Sequence, residues 1–237
     1  MNLILLFAED FVAPGRVRLQ GRRLRHVLEV HRAAVGDELC VGLEGGMIGS
    51  GRVLLLDGAG LEMAVELRAN PPPPLPVTLV LALPRPKMLK RILITATSMG
   101  VKTIYLINSF RVEKSFWKSP LLSTEKLVEP LVLGLEQARD TVLPRVHLRP
   151  LFRPFVEDEL PAICAGTTAL LAHPAGNAPC PRVSPGAVTL AIGPEGGFIP
   201  YEAGMLQGCG FTAVTLGERI LRVEAAVPVL LSRLAPL

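Results

Sequence analysis

The chain has 237 residues, 49% of them in the apolar set AVILMFWYC and 19% charged, a balance that excludes a disordered chain. Its 22 glycines and 22 prolines follow no period, which excludes collagen. With eight Phe, two Tyr and one Trp, the core has to be aliphatic. In chain order, residues 3–7 (LILLF) predict a strand. Residues 22–32 place Leu24, Val27, Leu28 and His31 at helical spacing, with arginines on the opposite face. Residues 38–43, 47–56 and 61–67 predict short strands separated by Gly45-Gly46 and Asp57-Gly58. The first segment therefore reads as a strand-rich barrel with one basic helix.

Residues 70–76, NPPPPLP, cannot lie inside a helix or a central strand, and they stiffen into an extended spacer. The expected division is a β-barrel module over 1–70, a proline-rich linker over 71–76 and a larger domain over 77–237. In that domain, strands are predicted at 77–83, 103–107, 168–172, 187–192 and 211–216. Helices are predicted at 88–100 with Gly100 at its C-terminal cap, at 123–139, at 201–208 and from about 224 to 234. This alternation predicts an α/β fold with a parallel sheet covered on both faces.

The net charge of +4 says little, but the basic residues are segregated. Residues 16–32 carry Arg16, Arg18, Arg22, Arg23, Arg25 and Arg32 against Glu29 alone. Residues 85–126 carry nine cations, including Arg85, Lys87, Lys90, Arg111 and Lys114, against Glu113 and Glu125. Two concentrated basic segments are the footprint expected of a phosphate-bearing partner such as RNA. The cysteines (Cys40, Cys164, Cys180, Cys209) form no CxxC or CxxH, and the histidines (His26, His31, His147, His173) are not at metal spacing, so no metal is expected. MNLILLFAED lacks a basic n-region and no run of 18 apolar residues occurs, so the expectation is a cytoplasmic protein with reduced thiols.

In a parallel sheet, ligands bind at the carboxyl ends of strands. Three predicted strand ends carry unusual sequences: His173-Pro174-Ala175-Gly176, Gly193-Pro194-Glu195-Gly196-Gly197, and 217–226 (GERILRVEAA). In the second, the glycines admit close approach of a ligand to the backbone, and Glu195 places a carboxylate among them. In the third, Arg222 and Glu224 fall at a loop–helix junction, and Pro228 requires the helix to begin near Glu224 or to kink. GxGxxG, GxxxxGK[ST] and GxSxG are all absent, which disfavours the usual NAD, ATP and serine-hydrolase sites.

The string LAIGPEGGF (190–198), followed by LGERILRVEAA (216–226), resembles the C-terminal signature of the RsmE-type 16S rRNA (uracil-N3) methyltransferases of the SPOUT superfamily. Residues 85–122 and 134–146 are similar to that family's middle motifs, and RHVLEVHRAAVGDEL (25–39) resembles its N-terminal PUA-like RNA-binding module. The resemblance implies a deep trefoil knot in the C-terminal domain. It implies S-adenosylmethionine held by three loops, through Leu171, Ala172, His173 and Pro174; Ile192, Gly193, Pro194, Glu195, Gly196 and Gly197; and Leu216, Gly217, Ile220, Leu221 and Arg222. It also implies a homodimer through the knot, and as substrate a single uridine in the decoding region of 16S rRNA within the small subunit. The family usually reads ILRTETA where this chain reads ILRVEAA, so Val223 and Ala225 lack two hydroxyls.

The residue types suit that chemistry. Uracil N3 must lose a proton before it attacks a methyl group. Glu195 or Glu224 can accept that proton, and Arg222 can stabilise the developing charge. The expected RNA contacts are Arg16, Arg22, Arg23, Arg25, His26, Arg32, Arg85, Lys87, Lys90, Arg111 and Lys114. Two other readings stay open: a SPOUT RNA methyltransferase acting on a ribose 2′-hydroxyl or another base, and a non-catalytic ribosome-assembly factor that binds RNA.

Overall fold

Alternation of apolar and polar residues builds the N-terminal sheet. The structure, a computed structural model, describes residues 2–176, 178–183 and 186–235. Strands β1 (Ile4–Leu6), β2 (Phe11–Ala13), β3 (Arg16–Leu19), β4 (Glu38–Leu43), β5 (Ile48–Leu56) and β6 (Leu61–Ala69) form one curled sheet in the order β1-β4-β5-β6-β3-β2. Only the β1–β4 pair is parallel. Val17 and Leu19 of β3 point into a core of Ile4, Leu6, Val41, Val53, Leu61 and Met63, while Arg16 and Arg18 alternate outward. Helix α1 (Gly21–His26) and a following π-helical turn (Val27–His31) add Leu24 and Val27 to this core.

The second sheet is all parallel. Its strands are β7 (Val77–Ala82), β8 (Thr103–Ile107), β9 (Arg145–Arg149), β10 (Thr168–Ala172), β11 (Ala178–Pro179), β12 (Val188–Ile192) and β13 (Thr212–Thr215). Their order is β11-β13-β10-β12-β7-β8-β9. All five residues of β12 are buried, as a central parallel strand requires. The helices are α2 (Pro86–Ser98), α3 (Thr124–Ala138), α4 (Phe152–Pro154), α5 (Leu160–Cys164), α6 (Pro200–Gly208) and α7 (Val223–Leu234). Gly100 at φ +86° follows α2 and lets the chain turn back through Val101 N–H to Ala96 O at 3.1 Å. Pro228 lies six residues into α7 and leaves the Glu224 carbonyl without its helical donor.

The chain divides into two compact units. The first comprises Met1–Pro73 and Val132–Leu143, and the second Pro74–Leu131 and Pro144–Leu237. The first crossing falls inside the proline run. The second falls inside α3, so 132–143, which the expected division puts in the larger domain, packs with the first unit. Glu136 is buried there: its carbonyl accepts from Asn2 N–H and Leu3 N–H, and its carboxylate meets Arg22 at 2.9 Å.

Candidate functional site

Strands β10, β12 and β13 run parallel, so their carboxyl ends share one edge of the sheet. After β10, His173 N–H donates to Val214 O at 3.0 Å and Gly176 N–H donates to His173 O at 2.9 Å. Gly176 lies so close to β13 that a Cβ there would stand 2.6 Å from the Val214 carbonyl carbon. After β12, Gly197 N–H donates to Pro194 O at 2.8 Å, closing a tight turn with Gly197 at φ +73°. After β13, the Thr215 hydroxyl accepts from Gly217 N–H at 3.2 Å and donates to Gly217 O at 3.1 Å. The chain then reaches Arg222, whose carbonyl accepts from Ala225 N–H and Ala226 N–H as α7 begins.

Together these loops enclose a cavity of about 650 Å³. Apolar lining comes from Ile192, Phe198, Leu216, Leu221, Val223 and Leu230, and charged lining from Arg85, Lys87, Arg219, Arg222, Glu195 and Glu224. The two carboxylates differ. Glu195 Oε1 accepts from Arg85 N–H at 3.3 Å, at the start of α2, which has no side-chain cap of its own. Half-buried Glu224 lies in the first turn of α7, and its carboxylate has no partner among the described residues.

Most residues expected at the cofactor site line this cavity: Ala172, His173, Pro174, Ile192, Gly193, Pro194, Glu195, Gly197, Leu216, Gly217, Ile220, Leu221 and Arg222. Leu171 and Gly196 do not. Leu171 is wholly buried in β10. A Cβ on Gly196 would meet Arg111 Cδ at 2.9 Å, and the Arg111 guanidinium donates to the Gly196 carbonyl. Gly196 is thus constrained by a basic side chain rather than by the cavity. Arg219, inside the 217–226 string, also lines the cavity, as do Val214 and Thr215, which were not expected and which nothing in their local sequence marks apart from their strand-end position.

The basic residues also separate. Arg23 is held by a two-point contact to Asp10, at 2.5 and 2.6 Å, and donates to Leu5 O at 2.9 Å. Its guanidinium lies 5.3 Å from the Phe7 ring centroid. These contacts tie it into the fold of the first unit. His26 Nε2 is buried without a partner among the described residues, and burial foremost pushes its pKa down. Arg16, Arg22 and Lys90 form ion pairs with Glu62, Glu136 and Glu129. Arg25, Arg32, Lys87 and Lys114 are exposed and have no ion-pair partner among the described residues. Among the described residues, no group of three or more His, Cys, Asp and Glu side chains is placed to hold a metal ion, and no helix is long and apolar enough to cross a membrane.

Residues 71–235 match the RNA methyltransferase domain family. The chain is 31% identical over 233 residues to the ribosomal RNA small subunit methyltransferase E of Treponema pallidum, covering 95% of this chain and 87% of that one. It belongs to that methyltransferase family. The family member from Synechocystis is 29% identical, covering 97% of this chain and 76% of that one. The crystal structure of the Neisseria gonorrhoeae family member bound to S-adenosyl methionine superposes with a TM-score of 0.72 at 22% identity, covering 97% and 95% of the two chains. The fold is accordingly shared with that structure: an α/β domain on an all-parallel seven-stranded sheet, preceded by a curled mixed sheet.

Proposed function

We propose that this family member transfers a methyl group from S-adenosylmethionine to N3 of a uridine in the decoding region of 16S rRNA, acting on the assembled small subunit. The observation that carries the reading is the cavity at the ends of β10, β12 and β13. Its volume falls within the range of about 300–1,000 Å³ usual for small-molecule sites. Its apolar walls suit an adenine ring, and its glycine-rich turns bring backbone groups within reach of polar ligand atoms. Residues 1–70 would act as the PUA-like RNA-binding module, 71–76 as spacer and 77–237 as the catalytic domain, paired with a second copy through the knot.

Gly193, Gly197 and Gly217 would hold the cofactor through their backbone, with Ile192, Phe198 and Leu216 around its base. When bound, S-adenosylmethionine supplies an electrophilic methyl group for in-line displacement. Glu224 is the better placed carboxylate to accept the N3 proton, because Glu195 already accepts from the start of α2. Arg222, two residues away, supplies the cation that stabilises the charge left on O2 or O4 of the base. Arg25, Arg32, Lys87 and Lys114 remain as free cations for phosphate contact.

The test combines calorimetry with S-adenosylmethionine and methyl transfer to small subunits that lack the modification, followed by mass-spectrometric mapping. Cofactor binding with methyl on uracil N3 is expected. A methyl on ribose or on another base position overturns the specificity. Cofactor-independent subunit binding with no transfer returns the chain to an assembly-factor role.

A further inference from the structure

The loop that follows β8 presents an aromatic ring to solvent although it is tied down at three points, one of them through its backbone. Asn108 Oδ1 accepts from Trp117 Nε1 at 3.0 Å. Phe110 N–H donates at 2.6 Å to Glu202, a carboxylate only 3% exposed whose other oxygen accepts from Ile199 N–H at 3.1 Å. The next residue, Arg111, is fastened to the Gly196 carbonyl. With its backbone so fixed, the Phe110 ring is nevertheless 78% exposed. A buried carboxylate spent on holding a loop whose ring stays in water is poorly explained by folding, since burial of a Phe side chain is worth about 1.5–3 kcal/mol.

The position of the loop supplies a use. In the sheet order β12-β7-β8, all parallel, β8 ends on the same edge as β12, two strands away. Neighbouring strands lie about 4.8 Å apart, so the two loops start about 10 Å from each other. Exposed Arg111, Lys114 and Lys118 follow Phe110 in the same segment, with Glu113 the one acid in residues 108–118. An exposed aromatic face among cations is the arrangement by which proteins stack unpaired bases while tracking the phosphate backbone.

We propose that Phe110 is a stacking platform for an unpaired base of the RNA substrate, positioning the strand beside the cavity. The inference rests on the RNA methyl-transfer reading for its substrate, but it is tested by binding alone. Small subunits and a single-stranded oligouridine would be titrated against wild type, Phe110→Leu and Phe110→Trp, with S-adenosylmethionine affinity, melting temperature and oligomeric mass measured alongside. Removing a base stack costs about 5–150-fold in affinity. Phe110→Leu is expected to lose that much on both probes, with cofactor affinity, melting temperature and mass unchanged. Phe110→Trp is expected to retain affinity and to add a fluorescence contribution that RNA quenches beyond the response of Trp117. Wild-type affinity in Phe110→Leu overturns the proposal, as does equal weakness in Phe110→Trp. A change of oligomeric mass without loss of RNA affinity also overturns it and makes the ring a protein contact. A wild type that binds both probes but transfers no methyl group refutes the proposed reaction while the stacking comparison still stands.

Discussion

At the level of single residues, the site is a matter of which group is already occupied. Glu195 and Glu224 look equivalent in sequence, but Glu195 is exposed and accepts from Arg85 N–H, whereas Glu224 is half-buried and has no partner among the described residues. Glu224→Gln is therefore expected to slow single-turnover methyl transfer by about 10²–10⁴-fold, the usual contribution of a general base. Cofactor affinity should hardly change, and Glu195→Gln should cost much less in rate. Near-normal turnover in Glu224→Gln would remove the assignment. The glycines separate in the same way. Gly197 has φ +73°, which costs a residue with a Cβ about 1–2 kcal/mol, whereas Gly196 requires only that the flexible Arg111 side chain shift. Gly197→Ala should thus weaken S-adenosylmethionine binding by titration calorimetry more than Gly196→Ala does. The reverse order would mean that the turn is held some other way. The IGPEGG string made this loop legible as a site, but backbone angles and the partner across the loop are invisible to sequence.

Among secondary-structure elements, legibility followed the chemistry of each strand. Strands β7 and β12 are largely apolar and buried on both faces, and β10 (TALLA) centres on buried Leu170 and Leu171, so their positions can be read from sequence. Strand β3 (RVRL) escaped because arginines occupy its outward positions and disguise the alternation as a basic segment, and β9 (RVHLR) because Arg145, His147 and Arg149 interrupt any apolar run. Residues 152–164 escaped because two short helices are joined by a π-helical turn, which breaks the 3.6-residue period. On β9, His147 stacks on Tyr105, with ring centroids 4.7 Å apart. Burial, then Arg149 and Arg145, lower its pKa below the ordinary 6.5. The folded state therefore binds this proton less readily than the unfolded chain does. Its contribution to stability is complete above about pH 6.5 and is lost as pH falls through the lowered folded value. Urea midpoints followed by Trp117 fluorescence should decline on acidification below pH 6.5, and His147→Phe, which keeps the stack, should decline less. Parallel curves for the two proteins would exclude His147 as the cause.

For the whole molecule, the proline run announced the first crossing between units, but nothing announced the second, because α3 carries the chain across without a break. Pro130 sits inside that helix near the crossing and is no boundary signal there. Charge segregation was legible too, yet it overstated the number of available cations. Arg23 is consumed by Asp10, and Arg22 by buried Glu136. Only free cations release counterions when RNA binds, so the salt dependence should track Arg25 and Arg32. Replacing both with Ala should reduce the slope of log K against log salt for small-subunit binding by about 1–2, at about 0.7–0.9 per phosphate contact. Folding stability and cofactor affinity should hold. Arg23→Ala should act differently: it leaves Asp10, which is 7% exposed, with no cation and only the Phe7 N–H as donor, and breaking such a pair costs about 3–5 kcal/mol. Its urea midpoint should drop, while the salt slope of the remaining folded protein stays that of the wild type. A flattened slope in Arg23→Ala at unchanged stability would show that its pairing with Asp10 gives way to phosphate on the ribosome.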